Sequence, residues 1–166
     1  MRAEGHTVDT EKVLKELESF ATYDKEKGGF KITHLSRGHR PPIGESLGTL
    51  TNKGYLYAKV HKVVRPIHHL VWLWHYGYFP QQIDHIDRNK QNNRIDNLRE
   101  ADTSINNLNK AAQSNNKLGC SNVRRLPNGK FNVRVCEISY GTFNTLDEAI
   151  VKRDFIKQRK LNKGVK

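Results

Sequence analysis

The first apolar residues of the chain recur with the spacing of one face of a helix. Their positions predict an amphipathic helix near the N-terminus, with Asp9 or Thr10 as its N-cap. A one-sided stripe of this kind is typical of a helix that covers a core, so we expect a scaffold role. The apolar residues of the stripe are Val13, Leu14, Leu17, Phe20 and Ala21.

Residues 23–56 contain many turn formers, among them Gly28-Gly29 and Asn52-Lys53-Gly54. Three runs of strand character lie here, at residues 30–35, 47–50 and 55–64. The third run alternates between two faces, and one of these faces is basic and aromatic. The runs predict a small antiparallel meander in which residues 55–64 form one strand.

A continuous apolar run occupies residues 68–76 (HHLVWLWHY) and predicts a buried helix that ends at Gly77. Its aromatic residues form the densest apolar cluster of the sequence, so we expect the centre of a core here. His68, His69 and His75 accompany this helix. We interpret them as structural histidines, with a metal-ligand role as the alternative.

The stretch from residue 83 to residue 109 is rich in carboxylates and amides, which are costly to bury without hydrogen-bond partners. Asp84 and His85 lie at the end of a short predicted strand, and residues 89–93 form a polar loop. Asn106 lies in the first turn of the next predicted helix. A loop can bring the end of the strand close to the start of the helix, so we expect the side chains of Asp84, His85 and Asn106 to lie near one another.

The C-terminal part predicts a second small domain. Residues 119–123, 131–137 and 140–143 read as three short strands, and Thr145 and Glu148 form a capping box that opens a helix. Phe155 falls on the face of this helix opposite to its apolar stripe. Residues 110–117 (KAAQSNNK) are polar and small, so we expect a linker over residues 110–118.

Charge is distributed unevenly along the chain. The net charge of +12 divides into +4 for residues 1–68, −1 for residues 69–109 and +9 for residues 110–166. An excess of this kind favours a nucleic-acid partner, whereas the near-neutral middle suits a bound cation. The alternatives are a basic surface kept for solubility and contact with an anionic lipid.

Other classes of protein are disfavoured by the sequence. We find no apolar run of transmembrane length and no apolar leader segment, so we expect a soluble, unsecreted protein in the cytoplasm. Cys120 and Cys136 lack the paired spacing of a zinc site, and we expect free thiols.

Asp84, His85 and the amides suggest metal-assisted hydrolysis. A hard cation such as Mg²⁺ uses one or two carboxylates and completes its shell with water and phosphate. Asp84 and Asn106 offer an anionic and a neutral oxygen, His85 could take a proton from water, and Asn97 could brace the loop and orient His85. The alternative is that Asp84 is only a turn acid and Asn106 only an amide at the start of a helix.

The same residues resemble a known family. The runs DHID at residues 84–87, NNR at 92–94, NL at 97–98 and NN at 106–107 are similar to the HNH endonuclease motif of the ββα-metal class. The variant is that of phage and intron-encoded homing endonucleases, and residues 48–60 resemble the strands that precede the motif. The resemblance implies a general-base role for His85, a metal-ligand role for Asp84 and Asn106, and a central supporting role for Asn97. Asn107 is the alternative to Asn106.

Residues 119–160 resemble the ethylene-response-factor (Apetala-like) DNA-binding domain, through GCSNVRRLPNGKFNVRV and YGTFNTLDEA. In that family the sheet lies in the major groove. The resemblance implies DNA contacts by Arg124, Arg125, Lys130 and Arg134. The family usually has tryptophan where this chain has Phe131 and valine where it has Cys120.

Together these features predict an α+β protein that cuts double-stranded DNA with Mg²⁺ or Mn²⁺, of phage or mobile-element origin. We expect no membrane contact and no small-molecule cofactor, and the sequence leaves monomer and dimer open. The alternative function is a regulatory, sequence-specific DNA-binding protein that uses the same fold without catalysis. The predicted domains are residues 1–22 (N-terminal helix), 23–109 (nuclease), 110–118 (linker) and 119–166 (DNA-binding domain with a basic tail).

Overall fold

The computed structural model describes residues 7–34, 42–110, 112, 114 and 116–163. It is an α+β structure with small antiparallel sheets, as predicted. Residue contacts divide the chain into two compact units, Met1–Glu100 and Ala101–Lys166. The division lies earlier in the chain than the predicted linker at residues 110–118, and the functional limits of the domains stay a prediction.

The first unit begins with helix α1 (Thr7–Phe20), followed by strands β1 (Ala21–Asp24) and β2 (Gly29–Ile32). The predicted apolar stripe is buried, which confirms the helix. Its predicted start was wrong, because Asp9 and Thr10 lie inside α1 rather than ahead of it. The apolar stripe begins only at Val13, so its periodicity does not mark the first turn of the helix. Of the predicted strand at residues 30–35, residues 30–32 lie in β2, and residue 35 lies outside the described residues.

A three-stranded sheet follows, made of β3 (Thr49–Leu50), β4 (Leu56–Val60) and β5 (Val63–Pro66) in that order. The prediction of one strand over residues 55–64 was therefore wrong. The chain reverses at His61 and Lys62, which both have positive φ (50° and 64°), and Val60 pairs with Val63. Residues other than glycine, asparagine and aspartate rarely occupy this region, so the sequence carried no turn signal.

Helix α2 (Ile67–Tyr76) is the predicted buried helix, and it ends at Gly77, whose φ of 75° is the left-handed value of a helix C-terminus. Leu70, Val71 and Leu73 are fully buried and belong to one cluster with α1 and β2. The prediction that this helix contributes to the centre of the core is confirmed, but the expectation that its aromatic residues form that centre was wrong, because Tyr76 is 53% exposed and Trp74 is half-buried.

Strands β6 (Ile83–His85) and β7 (Leu98–Glu100) pair antiparallel and close the first unit. The loop between them ends in a 3₁₀ turn, Ile95–Asn97. The β1–β2 hairpin holds this loop. Gly28 (φ 64°) lies so close to Arg94 that an added Cβ would stand 2.8 Å from the Arg94 Cα, and Ile95 N–H donates to the Tyr23 hydroxyl at 3.3 Å.

The second unit contains α3 (Thr103–Asn109), β8 (Val123–Arg125), β9 (Phe131–Val135), β10 (Ile138–Phe143) and α4 (Leu146–Lys163). The three strands form a sheet with β9 in the middle, and Val133, Val135 and Ala149 are fully buried between sheet and α4. The capping box is confirmed, because Glu148 N–H donates to Thr145 Oγ1 at 3.3 Å and Thr145 N–H donates back to Glu148 at 3.4 Å.

Two further expectations concern the described residues. Cys120 and Cys136 are free cysteines, as predicted. Within the described part of the chain, no helix is both long and apolar enough to cross a membrane.

Candidate functional site

Asp84 and His85 are the last two residues of β6, and both are buried, with 7% and 5% of their surface exposed. Adjacent residues of a strand point to opposite sides, so each has its own surroundings. Asp84 faces Arg99, its partner across the β6–β7 ladder. Arg99 donates from Nε and Nη2 to Asp84 Oδ2, at 2.9 and 2.5 Å.

The His85 ring is held by a buried amide. His85 Nε2 lies 2.9 Å from Asn93 Oδ1, and the Asn93 side chain is 1% exposed. The Asn93 amide nitrogen donates to the Gln91 carbonyl at 3.3 Å, which fits an oxygen directed at His85. An amide oxygen only accepts, so His85 carries its proton on Nε2, and Nδ1 is the basic nitrogen of the neutral ring.

A second imidazole packs against the first. The ring centroids of His68 and His85 are 5.0 Å apart with a 75° angle between the planes, and the Tyr55 ring lies 6.0 Å from His85. Burial, reinforced by His69 and His85, lowers the pKa of His68 to about 3, so His68 is neutral. His68 Nδ1 is buried and has no hydrogen-bond partner among the described residues.

Asn97 braces the loop between β6 and β7. Its amide nitrogen donates to Asp87 Oδ1 at 2.9 Å and to the Asn92 carbonyl at 2.8 Å, and its amide oxygen accepts from Asp87 N–H at 3.0 Å. Burial opposes ionisation of Asp87, but hydrogen bonds from Asn92, Asn89 and Asn97 outweigh it and lower the pKa of Asp87. Asn97 thus joins Asp87 and Asn92 within the loop, and its supporting role in cleavage stays a prediction. The amide bonded to the imidazole, however, belongs to Asn93.

The same loop reaches across Tyr55. Lys90 Nζ donates to the Lys53 carbonyl at 2.9 Å and lies 4.7 Å from the centre of the Tyr55 ring. Burial, together with the charges of Tyr57 and Asp84, raises the pKa of the Tyr55 hydroxyl. Tyr55 is therefore in ring contact with His85, and its hydroxyl is within electrostatic reach of Asp84.

Asp84 and His85 lie on a β-hairpin whose loop is braced by Asn97. The whole hairpin falls within one segment of the chain that matches a known family. Residues 65–108 match the family model of the HNH endonucleases. No curated protein and no solved structure matches the chain. The match supports nuclease activity and a nucleic-acid substrate for residues 65–108, the HNH segment.

The oxygen atoms of the HNH segment are too few to coordinate a cation by themselves. Substrate and water would have to complete the coordination shell of the ion. Among the described residues, no group of three or more His, Cys, Asp or Glu side chains could hold a metal. Asp84 is one carboxylate, and both Arg99 bonds go to its Oδ2. Mg²⁺ is commonly bound by one or two carboxylates with waters and phosphate oxygens, so this donor chemistry fits an ion shared with DNA.

The predicted second ligand lies on α3, within the second unit. Asn106 is half-buried, and its backbone N–H donates to the Asp102 carbonyl at 3.0 Å. Asn107 is exposed, and its Oδ1 accepts from Lys110 Nζ at 2.7 Å. The choice between Asn106 and Asn107 as the second ligand therefore stays a prediction.

Two of the predicted DNA contacts share the outer face of the C-terminal sheet. Arg124 pairs with Asn132 across β8 and β9, and Arg134 follows two residues on, so both side chains lie opposite the buried valines. Arg134 also forms an ion pair with Glu137 at 2.8 Å. Arg125 is exposed at the end of β8, and Lys130 is exposed just before β9.

Three residues that shape the site, Asn93, Arg99 and His68, make contacts that no local pattern of the sequence predicts. Asn93 lies in the predicted polar loop of residues 89–93, and its contact with His85 joins two residues that are eight positions apart. Arg99 meets Asp84 through strand register, which is invisible before the hairpin is known. The position of His68 was visible, but its contact with His85 depends on how α2 packs.

Proposed function

We propose that this protein is a metal-dependent DNA endonuclease of the homing type, in which His85 activates water for hydrolysis of a phosphodiester. The observation that supports it best is the buried hydrogen bond between His85 Nε2 and Asn93, because it fixes the imidazole in one orientation with Nδ1 as its basic nitrogen. A general base must reach the proton that it abstracts in a fixed orientation, and a buried amide provides that orientation.

In the proposed reaction His85 Nδ1 takes a proton from a water molecule as the water oxygen attacks phosphorus. The bond from phosphorus to the leaving oxygen breaks, and that oxygen takes up a proton from solvent. Asp84 and Asn106 (or Asn107) would hold Mg²⁺ or Mn²⁺, which when bound would stabilise negative charge on the phosphate. His68 and Asn93 keep the His85 ring in place, and Asn97 keeps the loop that carries Asn93 closed.

The basic C-terminal domain, which resembles the Apetala-like domain, would bind double-stranded DNA. The outer-face residues Arg124 and Arg134, with Arg125 and Lys130 at the sheet edge, offer guanidinium and ammonium groups to phosphates and bases. We place this activity in the cytoplasm of a bacterial or phage-infected cell, where a mobile element would need it.

Cleavage of supercoiled plasmid, with Mg²⁺ or Mn²⁺ and with a chelator, tests the proposal. We expect nicking by the unmodified protein and none by His85→Ala, whereas His34→Ala should cut normally, because it removes an exposed imidazole from the same unit. Since His85 is buried, His85→Gln serves as a second variant of closer volume. Emission of Trp72 and Trp74, which both lie on α2, reports whether the first unit of each variant is folded.

Absence of cutting with every divalent ion, or equal cutting by folded His85→Ala and His85→Gln, would overturn the proposal. Retained DNA binding with no cleavage would instead favour the alternative of a regulatory DNA-binding protein. The outer face of the C-terminal sheet, with Arg124 and Arg134, would then be the DNA-binding surface that supports this alternative.

A further inference from the structure

The outer face of α4 exposes large apolar side chains. Val151 is 70% exposed and Phe155 is 51% exposed, although the opposite face of the same helix is buried against the sheet. With Phe143 they line an open groove of about 770 Å³, which also includes Asp147, Glu148 and Lys152. Neighbouring exposed apolar residues of this size commonly mark an interaction surface.

Four residues of this face form one row along the helix. Asp147, Val151, Phe155 and Arg159 follow each other at intervals of four residues, which is the spacing of a packing ridge. The row is acidic at one end, apolar in the middle and basic at the other end. Neither Asp147 nor Arg159 has an ion pair in the described part of its own chain, and the Arg159 guanidinium lies 5.8 Å from the centre of the Phe155 ring.

We propose that a second copy of this chain docks on this face, with the two α4 helices antiparallel. A two-fold axis between Val151 and Phe155 places each Val151 against Phe155 of the second copy. It also places each Asp147 against Arg159 of the second copy. The row is therefore self-complementary, as an interface between identical subunits requires.

Neighbouring registers lack this match. If the axis passed through Val151, Asp147 would face Phe155 of the second copy and Arg159 would have no acidic partner. A nucleic acid or an anionic membrane fits the groove less well, because Asp147 and Glu148 stand at one end of it and would repel phosphates. The surface is separate from the residues assigned to cleavage, so dimerisation does not depend on the proposed function.

Sedimentation equilibrium of the full chain without DNA tests the inference. The patch is small, and interfaces that bury less than about 1,200 Å² are usually weak, so the concentration series should be wide. We expect the mass to rise with concentration from 19.2 kDa toward twice that value. Phe155→Glu should raise the dissociation constant at least about tenfold, which corresponds to one buried side chain. Ile138→Glu is the matched control, because Ile138 lies in the same unit and is 53% exposed.

Charge exchange tests the register. Asp147→Arg and Arg159→Asp should each weaken the dimer, because each creates two like-charged pairs. The double variant Asp147→Arg/Arg159→Asp should restore it, and an equimolar mixture of the two single variants should form a mixed dimer. A monomer at every concentration, a dimer indifferent to Phe155→Glu, or single-variant losses without rescue would overturn the inference. Far-ultraviolet circular dichroism checks that α4 persists in each variant.

Discussion

Arg99 donates two hydrogen bonds to a single oxygen of Asp84, and both residues are 7% exposed. The residue expected to bind a cation is thus also half of a buried ion pair. A loss of activity on changing Asp84 would consequently have two possible origins, a lost ligand and a weakened fold. Experiments on this residue must separate the two.

Breaking this pair from one side should destabilise the first unit. We expect Arg99→Met to lower the free energy of unfolding by about 3–5 kcal/mol, because the Asp84 carboxylate stays buried without its partner. The double variant Asp84→Leu/Arg99→Met should recover much of the loss, since it leaves no buried charge. Urea unfolding followed by tryptophan emission measures both, and a double variant no more stable than the single one would contradict the reasoning.

Asn93 should matter for the rate of cleavage more than for DNA binding. We expect Asn93→Ala to reduce single-turnover nicking about 10–100-fold, the usual cost of losing a group that orients a site residue. Asn93→Asp should move the acidic limb of the rate profile to higher pH, because an adjacent negative charge favours the imidazolium form. Asn89→Ala, in the exposed part of the same loop, is the control. Equal losses for Asn89→Ala and Asn93→Ala would argue for a general effect of the loop.

His68 should make the stability of the first unit depend on pH. Its pKa of about 3 in the folded protein lies below the ordinary value near 6.5, so below pH 6.5 the unfolded chain binds a proton that the folded chain does not. The free energy of unfolding therefore has its full value above pH 6.5 and falls as the pH decreases. The contribution of His68 to this fall is at most about 1.4 kcal/mol per pH unit. The lowered pKa of His69 acts in the same direction.

Urea unfolding between about pH 7 and about pH 5, above the range in which carboxylates titrate, measures this slope. We expect His68→Gln to have a shallower slope, with His75→Gln showing the effect of losing an exposed histidine from the same helix. Identical slopes for His68→Gln and the unmodified protein would contradict the assignment.

The outer face of the C-terminal sheet should determine how DNA binding responds to salt. Each phosphate contact that is lost should reduce the slope of log affinity against log salt by about one. We expect Arg124→Gln and Arg134→Gln each to do so, with a smaller effect at Arg134 because Glu137 already pairs with it. Lys12→Gln is the control, because it makes the same change of charge at an exposed position of α1. Fluorescence anisotropy at several salt concentrations gives the slopes, and three equal slopes would indicate diffuse attraction instead.

The elements that could be predicted from the sequence are those with local signals. The capping box of Thr145 and Glu148 located the start of α4, and Gly77 located the end of α2. The reversal at His61 and Lys62 could not be predicted, because residues that rarely adopt positive φ are held there by the pairing of β4 with β5.

The candidate site divides in the same way. Asp84, His85 and Asn97 stand in a motif that can be read along the chain. The partners that orient them, Asn93 and Arg99, are reached only through the loop geometry and the register of β6 with β7. Register depends on the complete hairpin, so no local pattern of residues encodes it.

Gly28 leaves no room for a side chain beside Arg94, and Tyr23 accepts from the backbone of Ile95. The first hairpin is therefore a surface on which the loop between β6 and β7 packs, although it lies far upstream of residues 65–108. For that reason the HNH segment is not expected to keep its structure when it is transferred alone to another protein. A recombination event or a graft that moved only residues 65–108 into another protein would carry the motif but leave behind the surface that shapes it.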